Sequence, residues 1–409
     1  MNENQLKALS AVKEHKSIFL TGSAGTGKSF TLKAIVSYLN NNYSDDEFAI
    51  TALTGCASVL IKGQTIHSFL YLGISRDINQ IYDNLQKYKF KFNKLKKLKV
   101  LIIDEISMMD NQLFELIHNL LMKIKNCFDK PFGGVQMILV GDFYQLPPIE
   151  NNYCFTSHIW NLLNPIPIIL TSIIRQKDDL VLQEILEEIR NDKPSEKTIN
   201  ILKSLIISPN QSFKDNEIKP TRLFPININV DKINNYEFKK LLKINNFQKN
   251  TYNAILIIKN KNEPKIDISD YNLTLTLNCQ IMVIRNISID DKLVNGTRGI
   301  VIELNPSNVI IKDLDGKLHT ISYYTDDTKG KNQISFMPLK LAYAISIHKS
   351  QGSSIDCLEI DLGNDVFTTG QLYTALSRAT NIKNLRLSNF SINSFIINEN
   401  VKNFYQNLK

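Results

Sequence analysis

A stretch near the amino terminus has the composition of a phosphate-binding loop. Its glycines allow the backbone to turn sharply, so that several N–H groups can face one anion. We expect Lys28 to reach the β- and γ-phosphates of a nucleotide and the Ser29 hydroxyl to coordinate Mg²⁺. The predicted nucleotide-binding residues are Gly22, Ser23, Ala24, Gly25, Thr26, Gly27, Lys28 and Ser29.

Two adjacent carboxylates could supply the hydrolytic chemistry. Asp104 and Glu105 directly follow the apolar run 101–103. At the end of a buried strand, Asp104 is expected to hold Mg²⁺ through water, and Glu105 to take a proton from an attacking water. This arrangement predicts metal-assisted hydrolysis of a phosphoanhydride, with Ser29 and Asp104 as the protein's metal ligands.

Three further polar side chains are candidates for acting on the γ-phosphate. Gln145 follows another apolar run, where its amide could sense the phosphate or orient water. Arg175 and Arg378 lie far along the chain from the phosphate loop. If two α/β units face each other across the nucleotide, these arginines would act as arginine fingers, whose removal typically costs on the order of 10³–10⁵ in rate.

The elements that must position these residues alternate between strands and helices. Residues 4–12 have helical spacing, and a strand at 17–21 leads through the loop into a helix at 28–40. Short apolar runs at 48–51, 100–103 and 136–140 predict buried strands, and 112–125 predicts a helix. This alternation predicts a parallel sheet covered by helices on both faces.

The region 73–99 interrupts this rhythm and is predicted to be an insertion. Within it, Lys87–Phe92 alternates charged and aromatic residues with period two, which predicts a strand. That strand is either a basic pin near DNA or an amphipathic strand with solvated lysines.

A second α/β unit is predicted to begin near Pro167 and to contain a small all-β insertion. The insertion covers about 270–335 and includes the hairpin-turn signal Asp315-Gly316. Other predicted elements of this half are a helix at 182–189, strands at 220–224, 279–284, 299–303, 309–312 and 318–323, and a closing helix at 401–408.

The overall composition narrows the class of protein. At 409 residues, the chain can form two or three compact units. A net charge of +8 is compatible with a polyanionic partner and equally with solvated surface lysines. Five cysteines without C-x-x-C spacing argue against a disulfide framework or zinc site. The sequence has no signal-peptide pattern and no apolar run of about 20 residues, so we expect an intracellular protein without a membrane partner.

Together, these motifs resemble superfamily 1 DNA helicases of the 5′-to-3′ group. The resemblance is strongest to the petite-integration-frequency (PIF) type, with RecD-like and Dda-like enzymes as relatives. The segments that carry it span most of the chain: 22–29, 51–57, 65–69, 102–109, 141–148, 293–299, 346–352 and 373–379.

The resemblance implies a fold of two RecA-like P-loop NTPase cores. The first would cover 1–165, with a small wedge insertion at about 73–99, and the second 166–409, with an SH3-like β insertion at about 270–335. Gln5 would recognise adenine, and Gly352 would be a further nucleotide-binding residue. The residues implied to contact single-stranded DNA are Thr54, His67 and Phe69 on the first core and His348, Lys349 and Ser350 on the second.

The implied activity is ATP-dependent, 5′-to-3′ unwinding of DNA with Mg²⁺. Single-stranded DNA and tailed or forked duplexes would be its partners, and the motor would be a monomer serving replication, repair or recombination. Three alternatives stay open: a RecD-like motor subunit of a nuclease complex, a single-strand translocase or RNA helicase, and a nucleotide-switched binding module. Glu105 and the two arginines argue against the last, since a switch has little use for a hydrolytic set.

Overall fold

The computed structural model describes most of the chain. The described residues are 1–54, 57–58, 61–72, 76–150, 152–176, 179–191, 193–206, 219–258, 268–285, 287–288, 293, 296–325, 333–352, 355, 357–396 and 398–408. They form two compact units. Unit 1 comprises Met1–Lys203, Val366–Lys383 and Ser391–Lys409, and unit 2 comprises Ser204–Asp365 and Asn384–Phe390.

The helices and strands of unit 1 alternate along most of its length. In chain order they are α1 (Glu3–Lys13), β1 (Ile18–Gly22), α2 (Lys28–Asn42), β2 (Phe48–Ala52), β3 (Gln64–Thr65), α3 (Ile66–Leu70), α4 (Ile78–Lys87), α5 (Lys89–Lys97), β4 (Val100–Asp104), α6 (Asn111–Lys125), β5 (Gln136–Val140), α7 (His158–Leu163), β6 (Ile166–Leu170), α8 (Leu180–Arg190) and α9 (Glu196–Ser204). The later elements, given below with those of unit 2, include two helices that return to unit 1.

Unit 1 is built on a six-stranded parallel sheet with the order β3-β2-β4-β5-β1-β6. Strands β1 and β5 are buried along their whole length, as expected when helices cover both faces. Residues of α1 and α2 pack in one apolar cluster on one face of the sheet, and residues of α6 and α7 pack in another on the other face. The predicted parallel α/β sheet is therefore confirmed. The strand Ile166–Leu170, near the predicted start of the second core, pairs with β1 in this sheet.

The prediction of a strand at Lys87–Phe92 is wrong. Helix α4 ends at Lys87 and α5 begins at Lys89. Phe92 and Leu95 lie one turn apart and are both buried, and the Phe92 ring packs edge-on against Tyr82 at 5.4 Å between centroids. Residues i and i+3 lie on the same face of a helix, so the burial of both Phe92 and Leu95 fits a helix. It outweighs the period-two alternation of charged and aromatic residues. Residues 73–75 of the predicted insertion lie outside the described residues.

The remaining elements run from residue 221 to the carboxyl terminus. They are β7 (Thr221–Phe224), α10 (Asn227–Ile244), β8 (Asn250–Tyr252), β9 (Ile255–Ile257), β10 (Leu273–Leu275), β11 (Gln280–Val283), β12 (Arg298–Leu304), β13 (Asn308–Asp313), β14 (Leu318–Ser322), β15 (Tyr324–Thr325), β16 (Gln333–Phe336), β17 (Leu339–Leu341), β18 (Ala344–Ser346), β19 (Leu358–Leu362), α11 (Gln371–Leu376), β20 (Leu385–Phe390) and α12 (Glu399–Asn407). Helices α11 and α12 belong to unit 1.

Unit 2 contains a parallel sheet with the order β18-β7-β19-β20 and antiparallel sheets. The largest antiparallel sheet has the order β14-β13-β12-β11-β17 and encloses its own apolar cluster. Gly316 has φ 82°, as the predicted hairpin turn between β13 and β14 requires. Parts of the predicted 270–335 insertion, including 289–292 and 326–332, lie outside the described residues.

Across the described residues, no helix combines the length and the apolar character needed to cross a membrane.

Candidate nucleotide site

The phosphate loop runs from the end of β1 to the start of α2 and requires glycine at two positions. Gly22 has φ 147°, and a Cβ there would lie 2.3 Å from the backbone oxygen of Leu170. Gly25 has φ 83°, and a Cβ there would lie 2.7 Å from the Arg175 Cβ. A side chain at either position would therefore displace a neighbouring strand or segment. The free N–H groups of α2 begin at this loop, which suits it to bind an anion.

Lys28 lies folded over its own loop. Its Nζ donates hydrogen bonds to the backbone oxygens of Gly22, at 2.7 Å, and Ser23, at 3.1 Å. Burial lowers the pKa of Lys28, and the nearby Asp142 and Glu105 carboxylates oppose that shift. Ser29, the next residue, is exposed at the start of α2. The ammonium group is therefore held over the loop, and Ser29 opens the first turn of the helix.

Asp104 and Glu105 lie where β4 ends. Asp104 Oδ1 accepts a hydrogen bond of 2.9 Å from the Glu105 N–H. Burial, reinforced by the Glu105 carboxylate, raises the pKa of Asp104 to about 7, while Lys28 opposes the shift. Glu105 has φ 55° and ψ 42°, a left-handed conformation that costs a non-glycine residue about 1–3 kcal/mol. Such strain is frequent where a side chain must be held for catalysis.

Gln145 is buried in a tight turn beyond β5. Its backbone N–H donates to the Asp142 backbone oxygen at 2.9 Å. Gly370, which precedes α11, packs so closely that a Cβ there would lie 2.2 Å from the Gln145 backbone oxygen. The turn that carries the predicted γ-phosphate sensor is therefore closed by its own backbone bond and packed against Gly370.

Arg175 is attached to the phosphate loop through the backbone. The N–H groups of Ile174 and Arg175 donate to the Gly25 oxygen at 2.8 and 3.2 Å. The Arg175 guanidinium donates from Nη1 to the Ser377 oxygen at 3.0 Å. Through these bonds, a segment about 150 positions along the chain lies directly against the loop.

Arg378 is only 2% exposed and lies in unit 1. Its Nε donates to the Thr374 oxygen at 3.0 Å and its Nη2 to the Ser377 hydroxyl at 2.8 Å. Burial and repulsion from Arg175 lower the pKa of Arg378 to about 9. Buried like charges of this kind are stabilised by an anionic partner, and a triphosphate would supply one.

The structure also describes Gln5 and Gly352, the other two predicted nucleotide residues. Gln5 completes a capping box for α1: its Oε1 accepts from the Asn2 N–H, and its own N–H donates to Asn2 Oδ1, both at 2.9 Å. Its Nε2 faces Gly27, where a Cβ would lie 3.1 Å away. Gly352 lies in unit 2 with φ 78°.

The residues predicted to contact DNA fall into exposed and buried groups. In unit 1, Thr54 is partly exposed, His67 is exposed, and Phe69 is only 4% exposed within the apolar core. The prediction that Phe69 presents its ring to DNA is therefore wrong: from α3 the ring points into the core. Residues 55–56, which follow Thr54 in the predicted motif, lie outside the described residues.

In unit 2, the predicted DNA residues form one short 3₁₀ turn, His348–Ser350. Lys349 is exposed, His348 is half-buried with its pKa lowered by burial, and Ser350 is fully buried. The Ser350 hydroxyl donates to the Ile347 oxygen at 2.7 Å. Ser350 therefore shapes the turn, and Lys349 is its exposed cation.

Sequence reasoning missed four side chains that contact the site. Asp142 lies in the segment 141–148 that carries the family resemblance, and its carboxylate is completely buried beside Lys28. Tyr373 accepts a 2.8 Å hydrogen bond from the Ala24 N–H of the phosphate loop. Arg190 and Tyr405 bind Asp142 from α8 and α12. No spacing rule connects residues so far apart in the chain.

Comparison with known proteins identifies related sequences over the whole chain. A family model described as PIF1-like helicase matches residues 1–193, and one described as DNA helicase Pif1, 2B domain, matches residues 268–304. The chain is 32% identical to ATP-dependent DNA helicase Pif1 of Bdellovibrio bacteriovorus, across 99% of this chain and 92% of that protein. It is 33% identical to ATP-dependent DNA helicase PIF1 of Danio rerio, but spans only 64% of that longer protein.

Solved structures with the same fold include two related helicases. The crystal structure of Pif1 helicase from Candida albicans has 29% identity and a TM-score of 0.82, with 100% of this chain and 99% of that chain covered. Bacteroides sp Pif1 in complex with ADP-AlF4 has 25% identity and a TM-score of 0.80, with 99% and 96% covered. A Bacteroides Pif1 structure with ADP-AlF3 and single-stranded DNA has 25% identity and a TM-score of 0.69, also with 99% and 96% covered.

Proposed function

The chain belongs to the PIF1-like helicase family, and we propose that it is an ATP-dependent DNA helicase that moves 5′ to 3′ along single-stranded DNA and unwinds duplex. One observation supports this most strongly. Within a single site, the Glu105 carboxylate acts electrostatically on both Lys28 and Arg378, although the three residues are widely separated in sequence. That site carries the groups needed to bind and cleave a triphosphate, in a chain that matches a named helicase along nearly its whole length.

Within the proposed reaction, each side chain has a distinct part. Lys28 and the loop N–H groups bind the β- and γ-phosphates, and Glu105 accepts the proton of the attacking water. Gln145 orients that water or senses the γ-phosphate. Arg175 and Arg378 stabilise the negative charge that grows on the transferred phosphoryl group.

The hydroxyl oxygen of Ser29 and the carboxylate oxygens of Asp104 are ligands of the kind that Mg²⁺ prefers. Ser29 and Asp104 would hold it together with the phosphates, and it would neutralise charge on the phosphate oxygens. Within the residues that the structure describes, no group of three or more histidine, cysteine, aspartate or glutamate side chains could hold a metal on its own. This fits Mg²⁺, which typically takes only one or two protein carboxylates beside a nucleotide. Gln5 and Gly352 complete the proposed nucleotide-binding set, with Gln5 recognising adenine.

The proposed DNA contacts are Thr54 and His67 on the first core and His348 and Lys349 on the second. The exposed Lys349 would bind a phosphate, and the other three would contact the strand without strong sequence preference. Single-stranded DNA and tailed or forked duplexes are the proposed partners. The related Bacteroides protein has been solved with single-stranded DNA, which supports this assignment.

The proposal also includes the domain plan of two RecA-like cores. The first would cover 1–165 with a wedge at about 73–99, and the second 166–409 with an SH3-like insertion at about 270–335. Parallel sheets in both units support two cores, and the antiparallel sheet β14-β13-β12-β11-β17 supports the insertion. Strand β6 lies in the first sheet, so that sheet includes residues up to Leu170. A monomeric motor in an intracellular compartment completes the proposal.

Replacing Lys28 tests the site directly. Lys28→Ala removes the cation that binds the phosphates, so we expect DNA-stimulated ATP hydrolysis to fall at least about 10²-fold while single-stranded DNA still binds. Lys33→Ala is the matched control, because Lys33 is an exposed lysine on the same helix. Normal hydrolysis by Lys28→Ala would contradict the assignment of the nucleotide site.

A further inference from the structure

Tyr405 places its hydroxyl at the meeting point of two loops of the nucleotide site. The residue lies near the end of α12, and its oxygen is 2.7 Å from the Thr21 hydroxyl, 3.1 Å from the Phe143 nitrogen and 3.2 Å from Asp142 Oδ1. The Phe143 N–H donates to the Tyr405 oxygen, and the Tyr405 O–H donates to the carboxylate. A phenol can accept from Thr21 at the same time, so all three bonds can coexist.

Thr21 and Asp142, which bind the Tyr405 hydroxyl, lie in sequence immediately before the phosphate loop and at the start of the Gln145 turn. Thr21 precedes Gly22, where the phosphate loop begins, and Asp142 begins the turn that ends at Gln145. Asp142 also shapes that turn directly. Its Oδ1 accepts from the Tyr144 N–H at 3.2 Å, and its backbone oxygen accepts from the Gln145 N–H at 2.9 Å. The hydroxyl therefore connects the base of the phosphate loop with the base of the Gln145 turn.

Arg190 binds the same carboxylate as Tyr405. Its Nη2 and Nε donate to Asp142 Oδ1 and Oδ2 at 3.1 and 3.3 Å. Its guanidinium lies 4.5 Å from the centre of the Tyr144 ring and 5.1 Å from that of Tyr405. Those two rings stack on each other at 4.8 Å and 17°. The cation, the carboxylate and the two rings thus restrain one another's positions.

Helix α12 is anchored independently of the hydroxyl. Phe404 stacks on Phe155 at 4.2 Å and packs edge-on against Phe19 and Phe143, and Val401 is buried. Removing only the hydroxyl of Tyr405 should therefore leave the helix seated and the fold intact. A variant that lacks only this hydroxyl can therefore distinguish a role of Tyr405 in catalysis from a role in the stability of unit 1.

We propose that Tyr405 is a positioning residue for ATP hydrolysis, which couples the phosphate loop to the Gln145 turn through Thr21 and Asp142. The inference rests on the proposed ATPase function and extends it to α12, a segment that shares no motif with the nucleotide site. Misplaced catalytic groups mainly slow the chemical step, because the loop N–H groups and Lys28 still bind the ground-state nucleotide.

The test is steady-state ATP hydrolysis by Tyr405→Phe in the full chain with saturating single-stranded DNA. Loss of a hydrogen bond to a charged group corresponds to about tenfold in rate, so we expect kcat to fall about tenfold. We expect KM for ATP to change by less than about twofold. Tyr236→Phe is the matched control, because it makes the same chemical change at a side chain that is 64% exposed on α10.

A second variant keeps the test decisive if Tyr405→Phe is partly unfolded. Thr21→Val removes the hydroxyl that meets Tyr405 while keeping the side-chain shape, so the two changes should not be additive in kcat. Additive effects, or a kcat per folded molecule equal to that of the wild type, would overturn the role of Tyr405. Absence of ATP hydrolysis in the wild-type chain would instead contradict the proposed function itself.

Discussion

Arg190 binds Asp142 through two parallel hydrogen bonds, Nη2 to Oδ1 at 3.1 Å and Nε to Oδ2 at 3.3 Å, and the carboxylate is completely buried. Arg190→Ala would leave that carboxylate without its hydrogen-bonded cation. Breaking a buried pair from one side typically costs about 3–5 kcal/mol, so we expect a large drop in the free energy of unfolding. Chemical denaturation of the purified variant measures it.

An exposed ion pair in the same unit provides the control for Arg190. Lys197 contacts Glu184 at 2.6 Å, with side chains that are 62% and 47% exposed. Lys197→Ala should change the free energy of unfolding by no more than about 0.5–1 kcal/mol. Similar effects at Arg190 and Lys197 would mean that burial of Asp142 does not set the strength of its ion pair.

Glu105 combines a catalytic carboxylate with a strained backbone, and two substitutions can separate these properties. Glu105→Ala and Glu105→Gly both remove the proposed base, so each should lose at least about 10²-fold in kcat. Only glycine tolerates φ 55° without strain, so Glu105→Gly should be more stable than Glu105→Ala by about 1 kcal/mol. Thermal unfolding compares the pair. Equal stability would show that the left-handed backbone at Glu105 stores no strain.

His118 makes the stability of unit 1 depend on pH. Its Nδ1 accepts a 3.0 Å hydrogen bond from the Phe132 N–H, and burial lowers the pKa of His118 below its ordinary 6.5. The unfolded chain therefore binds a proton at a higher pH than the folded one. The contribution of His118 to the free energy of unfolding is fully present above about pH 6.5. It falls as the pH drops, by at most about 1.4 kcal/mol per pH unit.

A substitution checks that His118 is a source of this dependence. His118→Gln should flatten the loss of stability between pH 7 and 5, whereas His15→Gln, at an exposed site, should keep it. Denaturation curves at several pH values measure both. If the free energy of unfolding of His118→Gln depended on pH as that of the wild type does, His118 would not be the source of the dependence.

The local sequence predicts the parts of this structure that depend on near neighbours. The apolar runs before Gly22, Asp104 and Gly141 are each a buried strand, because a parallel sheet covered on both faces needs continuous apolar residues. The period-two alternation of Lys87–Phe92 predicts a strand wrongly, because it conceals the i, i+3 spacing of Phe92 and Leu95, both of which pack into an apolar cluster of unit 1.

Contacts between distant segments could not be predicted in this way. The bonds of Tyr405 to Thr21 and Asp142 join positions more than 260 residues apart, and only the fold brings them together. The family resemblance implies that Phe69 contacts DNA, yet the orientation of α3 buries its ring. Local patterns identify the chemical groups, whereas tertiary packing decides which of them face the site.

ATP-dependent strand displacement on two otherwise identical duplexes tests the account most directly. One duplex carries a 5′ single-stranded tail and the other a 3′ tail, and Lys28→Ala serves as the inactive reference. We predict that the wild-type chain opens only the 5′-tailed duplex, and only with ATP and Mg²⁺. Opening of the 3′-tailed duplex alone would contradict the direction of movement, and opening of neither would contradict the proposed helicase activity.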